Sequence, residues 1–257
     1  MKTLYLFLAL LLSANLMAQS GKVIYEEKYK IDMSEQIAKL EEMPGMEEMV
    51  ERLKKMRSEG KKTLEFKGSE SIYRNYDATE DSEVSWSSDD GQMEMRVVMM
   101  RPENKLYKNI ESNEVVDQRD LMGKTFIIEQ EAETPAWKII PEQEVVAGHL
   151  CQKASMIKDS VEYFAWFTTQ APYAFGPNSF SGLPGLVLRV EAADESLKIR
   201  AVQVDLEAEV ENIEKPTKGK KVSQEEFEEI RREKMKEMRE MRGGNRGGGM
   251  HMRIERD

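Results

Sequence analysis

The chain has 257 residues, with 38 Lys and Arg against 48 Asp and Glu and a formal net charge of −10; such an acidic surface disfavours nucleic acid as the main partner and favours solubility. Its single cysteine, Cys151, excludes an intramolecular disulfide, so stability must come from burial. Beyond the first residues no uninterrupted apolar run approaches the ~18–20 residues of a transmembrane helix.

In chain order, Lys2, the apolar run Leu4 to Leu12 and the small-residue site Met17-Ala18 read as a secretory signal peptide over residues 1–18. Cleavage near Ala18 predicts a periplasmic or secreted protein. No cysteine stands at the cleavage point to take a lipid anchor. Residues 19–213 read as one β-rich domain, because short β-type runs alternate with turn signals. These runs are Lys22 to Lys30, Thr63 to Phe66, Ser71 to Tyr76, Met93 to Met100, Lys105 to Asn109, Thr125 to Glu129, Cys151 to Lys158, Val161 to Phe167, Leu186 to Glu191 and Leu197 to Leu206. In the first run Val23, Tyr25, Tyr29 and Ile31 share one face, which Glu27 interrupts. Lys158-Asp159-Ser160 has the composition of a tight hairpin connection.

Two segments break the β rhythm. Residues 33–59 carry Ile37, Leu40, Met46, Met49, Val50, Leu53 and Met56 at mixed three- and four-residue spacings, with Pro44-Gly45 dividing them, which predicts an inserted helical hairpin. Within residues 214–242, read as linker and C-terminal helix, Ser223-Gln224-Glu225-Glu226 is a capping box ahead of Phe227 and Ile230. Residues 243–257 are rich in glycine, arginine and methionine and read as a disordered tail, better suited to acidic partners or solvent than to nucleic acid in an extracytoplasmic compartment. The predicted fold is mainly β with helical additions: a single antiparallel, curved sheet with an inserted helical hairpin and a C-terminal helix.

The stretch from Gly176-Pro177 through Gly182-Leu183-Pro184-Gly185-Leu186 packs two proline turns and an aromatic ahead of a strand. Leu183-Pro184-Gly185-Leu186 has the form of a type II turn, with positive φ expected at Gly185. With Val23-Ile24-Tyr25-Glu26, Leu106-Tyr107-Lys108-Asn109, Trp137-Lys138-Ile139, Val146 through Ala154 and Ala165-Trp166-Phe167, these residues resemble the GLPGLI family of secreted Bacteroidetes proteins. The resemblance implies an envelope or secreted location and a β-rich fold, and it carries no biochemical activity.

Catalytic signals are sparse. The histidines are His149 and His251, and no serine sits in a Gly-x-Ser-x-Gly elbow. Cys151 could act as a nucleophile only with a base and an orienting group that the sequence does not place beside it; a buried structural thiol is the simpler reading. The chain's 18 methionines cluster, among them Met43, Met46 and Met49, then Met93, Met95, Met99 and Met100, then Met235, Met238 and Met241, and finally Met250-His251-Met252. Thioethers suit Cu(I), so Met250, His251 and Met252 form a candidate soft-metal site, against a background in which helical methionines are core filler or contact surface. Tyr163, Ala165 and Phe167 alternate with Phe164 and Trp166, so one sheet face could cradle an apolar ligand. The reading is a noncatalytic envelope binding or interaction module without a cofactor, its partner an envelope protein or a small apolar ligand. A Cu(I)-binding protein and a hydrophobic-ligand carrier are the alternatives.

Overall fold

The computed structural model describes residues 20–31, 33–55, 57–76, 82–87, 94–99, 103–133 and 135–244. Its elements in chain order are β1 (Ser20–Lys30), α1 (Ser34–Glu41), α2 (Glu47–Lys55), β2 (Arg57–Lys67), β3 (Glu70–Asn75), β4 (Ser82–Ser87), β5 (Glu94–Met99), β6 (Lys105–Asn109), β7 (Glu114–Leu121), β8 (Lys124–Glu131), β9 (Lys138–Val146), β10 (His149–Lys158), β11 (Val161–Thr168), β12 (Leu186–Ala192), β13 (Leu197–Asp205), β14 (Lys220–Val222) and α3 (Gln224–Gly244). The signal-peptide reading of residues 1–18 and the candidate ligands Met250, His251 and Met252 lie outside the described residues.

Local chemistry accounts for several boundaries. The helical insert divides at Pro44-Gly45, where Gly45 takes φ 82°, and Lys54 ties α2 back to Glu41 of α1 at 3.0 Å. At the turn between β10 and β11, Asp159 and Ser160 sit at φ 50° and 66°, the two left-handed central residues of a type I′ hairpin. The capping box of α3 is reciprocal: the Glu226 amide donates to Ser223 Oγ at 3.1 Å and the Ser223 amide to Glu226 Oε2 at 3.0 Å.

Twelve strands form one sheet in the order β14-β8-β7-β6-β3-β2-β1-β13-β12-β11-β10-β9, and β4 and β5 form a separate two-stranded ladder. The chain meanders from β1 outward to β8, crosses to the opposite edge at β9, and meanders back until β13 pairs with β1. All pairs are antiparallel except β14 with β8. The sheet is therefore mixed, not purely antiparallel as expected. The reason is topological: residues 206–219 cross over the sheet before β14 joins, and a hairpin cannot make a parallel pair. That stretch, its residues 206–213 read as the end of the β-rich domain and 214–219 as linker, also holds the outer face, through Ile213 against Tyr107, Val116 and Ile127 and Lys67 Nζ donating to Val210 O at 3.2 Å.

The sheet must roll. Between Glu131 of β8 and Lys138 of β9 lie residues 132–137, a connection reaching at most about 25 Å. Laid flat, the ten strand intervals between β8 and β9 would put them ~48 Å apart. Rolling creates a concave side, lined by Val23, Tyr25, Leu64, Phe66, Ile199 and Val190, all at most 1 % exposed. Glu27, which interrupts the apolar face of β1 in sequence, is buried there because the Tyr73 hydroxyl donates to its Oε1 at 2.6 Å, and a buried polar group is tolerated once it is hydrogen-bonded. The apolar face ends at Tyr29, which is 47 % exposed.

Residues 169–185, between β11 and β12, fold into this concavity. Phe175, Phe180 and Leu183 are buried; Phe175 packs on Phe66 of β2 at 5.8 Å between ring centroids and Phe180 on Tyr163 of β11 at 5.2 Å. The expected type II turn is not there. Positive φ falls on Gly182 (86°), whereas Gly185 lies outside the left-handed region and donates its amide to Leu183 O at 2.7 Å, closing a three-residue γ-type turn around Pro184. Gly185 is required for a different reason: a Cβ there would stand 2.3 Å from Thr168 O. Gly176 has the same role, since its Cβ would meet Phe180 O at 2.0 Å.

Gly185→Ala should therefore destabilise the protein by roughly 1–3 kcal/mol through overpacking against a backbone carbonyl, read as a lowered midpoint in thermal unfolding. An unchanged midpoint would show that the loop does not sit this close to β11.

Candidate functional site

Filling the concavity from one end leaves a cavity of about 530 Å³ at the other, between the inner faces of β6, β7 and β8 and the end of β10. Its wall is mixed. Leu106 and Val115, on β6 and β7, and Met156 on β10 supply apolar surface; Lys108, Asp117, Arg119 and Lys158 supply charge. Strand alternation explains why these side chains converge: Lys108 pairs with Val115 and Leu106 with Asp117, so all four project from one side of the β6–β7 ladder.

Lys108 is the centre of the site. Its Nζ donates to Asn178 O at 2.7 Å and to Ser181 Oγ at 2.9 Å, both in the glycine- and proline-rich loop. That loop is itself pinned by the Trp137 indole, which donates to Ser181 O at 2.9 Å. Desolvation by burial, and then the nearby ammonium of Lys158, pull the Lys108 amine down from 10.5 to about 7, with Asp117 opposing the shift. Asp117 is engaged by Arg119 at 2.7 Å, and Arg119 also reaches Glu228 of α3 at 3.6 Å and lies over the Phe227 ring. Such an amine offers a point charge to an anion, and its contact with a serine hydroxyl places a base beside an alcohol.

The residues singled out from sequence divide between scaffold and site. Gly176, Pro177, Gly182, Leu183, Pro184, Gly185 and Leu186 build the loop, while the two residues of that loop that hold Lys108 are Asn178 and Ser181. Sequence reasoning passed over Lys108 because Lys105 to Asn109 reads only as a strand; its chemistry arises where a loop 70 residues away in sequence meets it. Cys151 is fully buried, its thiol pushed up to about 11 by desolvation; it donates to His149 O at 3.5 Å, while the His149 ring faces Gln170 Oε1 at 3.2 Å. The neighbouring ring therefore does not serve Cys151 as a base. Met43 and Met49 of the helical insert are 51 % and 42 % exposed, and Met235 and Met241 of α3 are 46 % and 67 % exposed. Met56, Met93 and Met100 lie outside the described residues. Among the described residues no group of three or more His, Cys, Asp or Glu side chains is placed to hold a metal ion.

The aromatic alternation of β11 is present, but its outward face is not an open cradle. Trp166 is 7 % exposed beneath the Arg189 guanidinium at 4.1 Å and the Lys153 ammonium at 5.5 Å. Arg189 is held by both carboxylate oxygens of Glu144, at 2.7 and 2.8 Å, and Lys153 by Glu142 at 2.7 Å. A second hollow, of about 660 Å³, lies under the crossing segment on the opposite side of the sheet, lined by Glu65, Arg74, Lys105 and residues 209–218. No helix among the described residues is long and apolar enough to cross a membrane.

Comparison with known proteins places the architecture. A family model described as "Protein of unknown function (Porph_ging)" matches residues 26–189. No curated protein matches the chain. Among solved structures, PNGF-II in a P21 crystal form is similar over 83 % of this chain and 33 % of that chain, with a TM-score of 0.53 at 12 % identity. The C2 form gives 0.52 at 12 % identity, over 83 % of this chain and 32 % of that one. The chain thus spans about a third of the length of PNGF-II, and at this identity the likeness shows the fold alone. An uncharacterised conserved protein from Thermus thermophilus is similar over 81 % of this chain and 92 % of that chain, with a TM-score of 0.39 at 7 % identity.

The shift at Lys108 has a signed consequence. Between about 7 and 10.5 the unfolded chain holds a proton at this amine that the folded protein does not, so the native state gains stability as pH rises through that window. Compared with Lys108→Met, which removes the titration, the wild type should gain thermal stability between pH 7 and pH 10. A wild-type-minus-variant difference that stays flat across the range would show an ordinary, solvated lysine.

Proposed function

We propose, for a chain that belongs to the Porph_ging family of proteins of unknown function, a noncatalytic binding role in the cell envelope, with the cavity beside Lys108 as the binding site. The finer family reading is that of a secreted GLPGLI-type protein, supported by Gly182-Leu183-Pro184-Gly185-Leu186 within the matched residues. The leader-like residues 1–18 support an extracytoplasmic location. One observation carries the binding reading: the loop that contains the family-like motif spends its conformationally demanding residues on filling the sheet and uses Asn178 O and Ser181 Oγ to hold a lysine at a cavity wall. A cavity of this size with a mixed wall and a few fixed polar groups is the usual form of a small-molecule site.

The hydrogen bond of Lys108 to Ser181 favours a second reading, acyl transfer with Ser181 as nucleophile and Lys108 as base. Rapid labelling by a fluorophosphonate probe that Ser181→Ala abolishes would establish it.

The binding reading is tested by a thermal-shift screen of the full chain against a small-molecule collection of mixed charge. A ligand present at 100 times its Kd stabilises the native state by ~2.7 kcal/mol. Ligands that raise the melting midpoint of the wild type and lose that effect in Leu106→Trp, which fills the cavity, are the expected result. Stabilisation that persists in Leu106→Trp, or a screen with no stabilising compound of any charge, would contradict it.

A further inference from the structure

Resting on the reading of this cavity as a binding site, we propose that its ligand is an organic monoanion with an apolar body, such as a medium-chain carboxylate. Its charged end lies between Lys108 and Lys158, and its body lies against Leu106, Val115 and Met156.

The two lysines reach the cavity from different parts of the chain, Lys108 from β6 and Lys158 from the last position of β10. Neither forms an ion pair with another described residue. Arg119, the third cation of the wall, is already matched by Asp117 and Glu228. On the outer face of the same sheet the opposite holds: Lys153 and Arg189 are each neutralised by carboxylates. Two ammonium groups that share one cavity wall without an ion pair among the described residues, in a chain of net charge −10, favour an anion there. The Lys158 ammonium disfavours the charged form of Lys108, and an anion placed between them converts that repulsion into two attractions. Of the three donors that an ammonium carries, two at Lys108 are spent on Asn178 O and Ser181 Oγ, leaving one for the ligand.

The acidic groups of the wall limit the charge the ligand can bring. Asp117 of β7 and Glu133, just after β8, line the same space, so a second negative charge meets repulsion that a monoanion avoids. The apolar side chains argue against a bare inorganic ion, because displacing water from half-buried Leu106, beside the buried Val115 and Met156, is favourable only for a ligand with apolar surface of its own. The charged groups facing Lys108 are Lys158 from β10, Asp117 and Arg119 from β7, and Glu133; the loop of residues 169–185 brings it only neutral oxygens. Above about pH 7 the Lys108 amine must take up a proton as the anion binds, so affinity should fall as pH rises.

Isothermal titration of the full chain with octanoate at pH 6.5, with octanol and inorganic phosphate as comparators, tests this directly. Octanoate should bind at least tenfold more tightly than either comparator. Lys158→Gln, at an exposed position whose loss leaves the fold intact, should weaken octanoate at least fivefold; Lys108→Met should weaken it further and remove the pH dependence between 6.5 and 8.5. Equal binding of octanol would overturn the anion assignment, and equal binding of phosphate would overturn the apolar body. Octanoate affinity unchanged in Lys158→Gln would overturn the two-lysine clamp, and so would no octanoate binding at all. A neutral or cationic compound that stabilises the wild type but not Leu106→Trp would sink this inference while leaving the binding role in place.

Discussion

A sheet of twelve strands rolled on itself cannot fill its own concavity, and the loop of residues 169–185 is what fills it. Phe175 and Phe180 bridge the two halves of the roll by packing on Phe66 and Tyr163, and the Tyr25 hydroxyl ties β1 to the strand that follows the loop by donating to Val187 O at 2.6 Å. The loop comes this close only because Gly176 and Gly185 carry no Cβ where Phe180 O and Thr168 O stand. The site depends on the same constraint. If the loop moved outward, Asn178 O and Ser181 Oγ would leave Lys108, and the cavity wall would lose the anchor of its inner cation.

Charge is distributed differently on the two sides of the sheet. Outside, cations are stacked on aromatic rings and matched by glutamates: Arg189 over Trp166 and against Glu144 and Glu191. That arrangement covers large apolar rings in the manner expected of amphipathic side chains. Inside, Lys108 is tied to uncharged oxygens. A lysine in that setting costs stability wherever its ammonium persists, so its presence in a cavity points to use rather than to packing. Structural ion-pair networks can also perturb lysines, but Lys108 has no ion pair among the described residues.

Much of the strand arrangement was legible because alternation and turn chemistry are local. The runs over Lys22 to Lys30, Lys105 to Asn109 and Val161 to Phe167 show period-two patterning or β-type composition, and Asp159-Ser160 and the Ser223–Glu226 box are turn and cap signals that need no tertiary partner. β4, β7, β9 and β14 were passed over because half of Ser82–Ser87 is serine, Glu114–Leu121 is half charged, Lys138–Val146 is an exposed edge carrying Pro141, and Lys220–Val222 is a strand only by pairing with β8. The conformation at Pro184-Gly185 was misjudged for the same kind of reason. Local residue preference points to positive φ at Gly185, whereas the requirement there is set by the Thr168 carbonyl on another strand. Lys108 was illegible altogether, since nothing in Leu106-Tyr107-Lys108-Asn109 says that a loop will cap its amine.

The motif loop holds one half-buried lysine amine at a cavity wall, in a setting that disfavours its charge. Following the 13Cε chemical shifts of labelled lysines across a pH titration, with Lys108→Met supplying the assignment, tests it most directly. The account predicts one resonance titrating at about 7 that is missing from Lys108→Met; a Lys108 resonance titrating at the ordinary lysine value of 10.5 would contradict it.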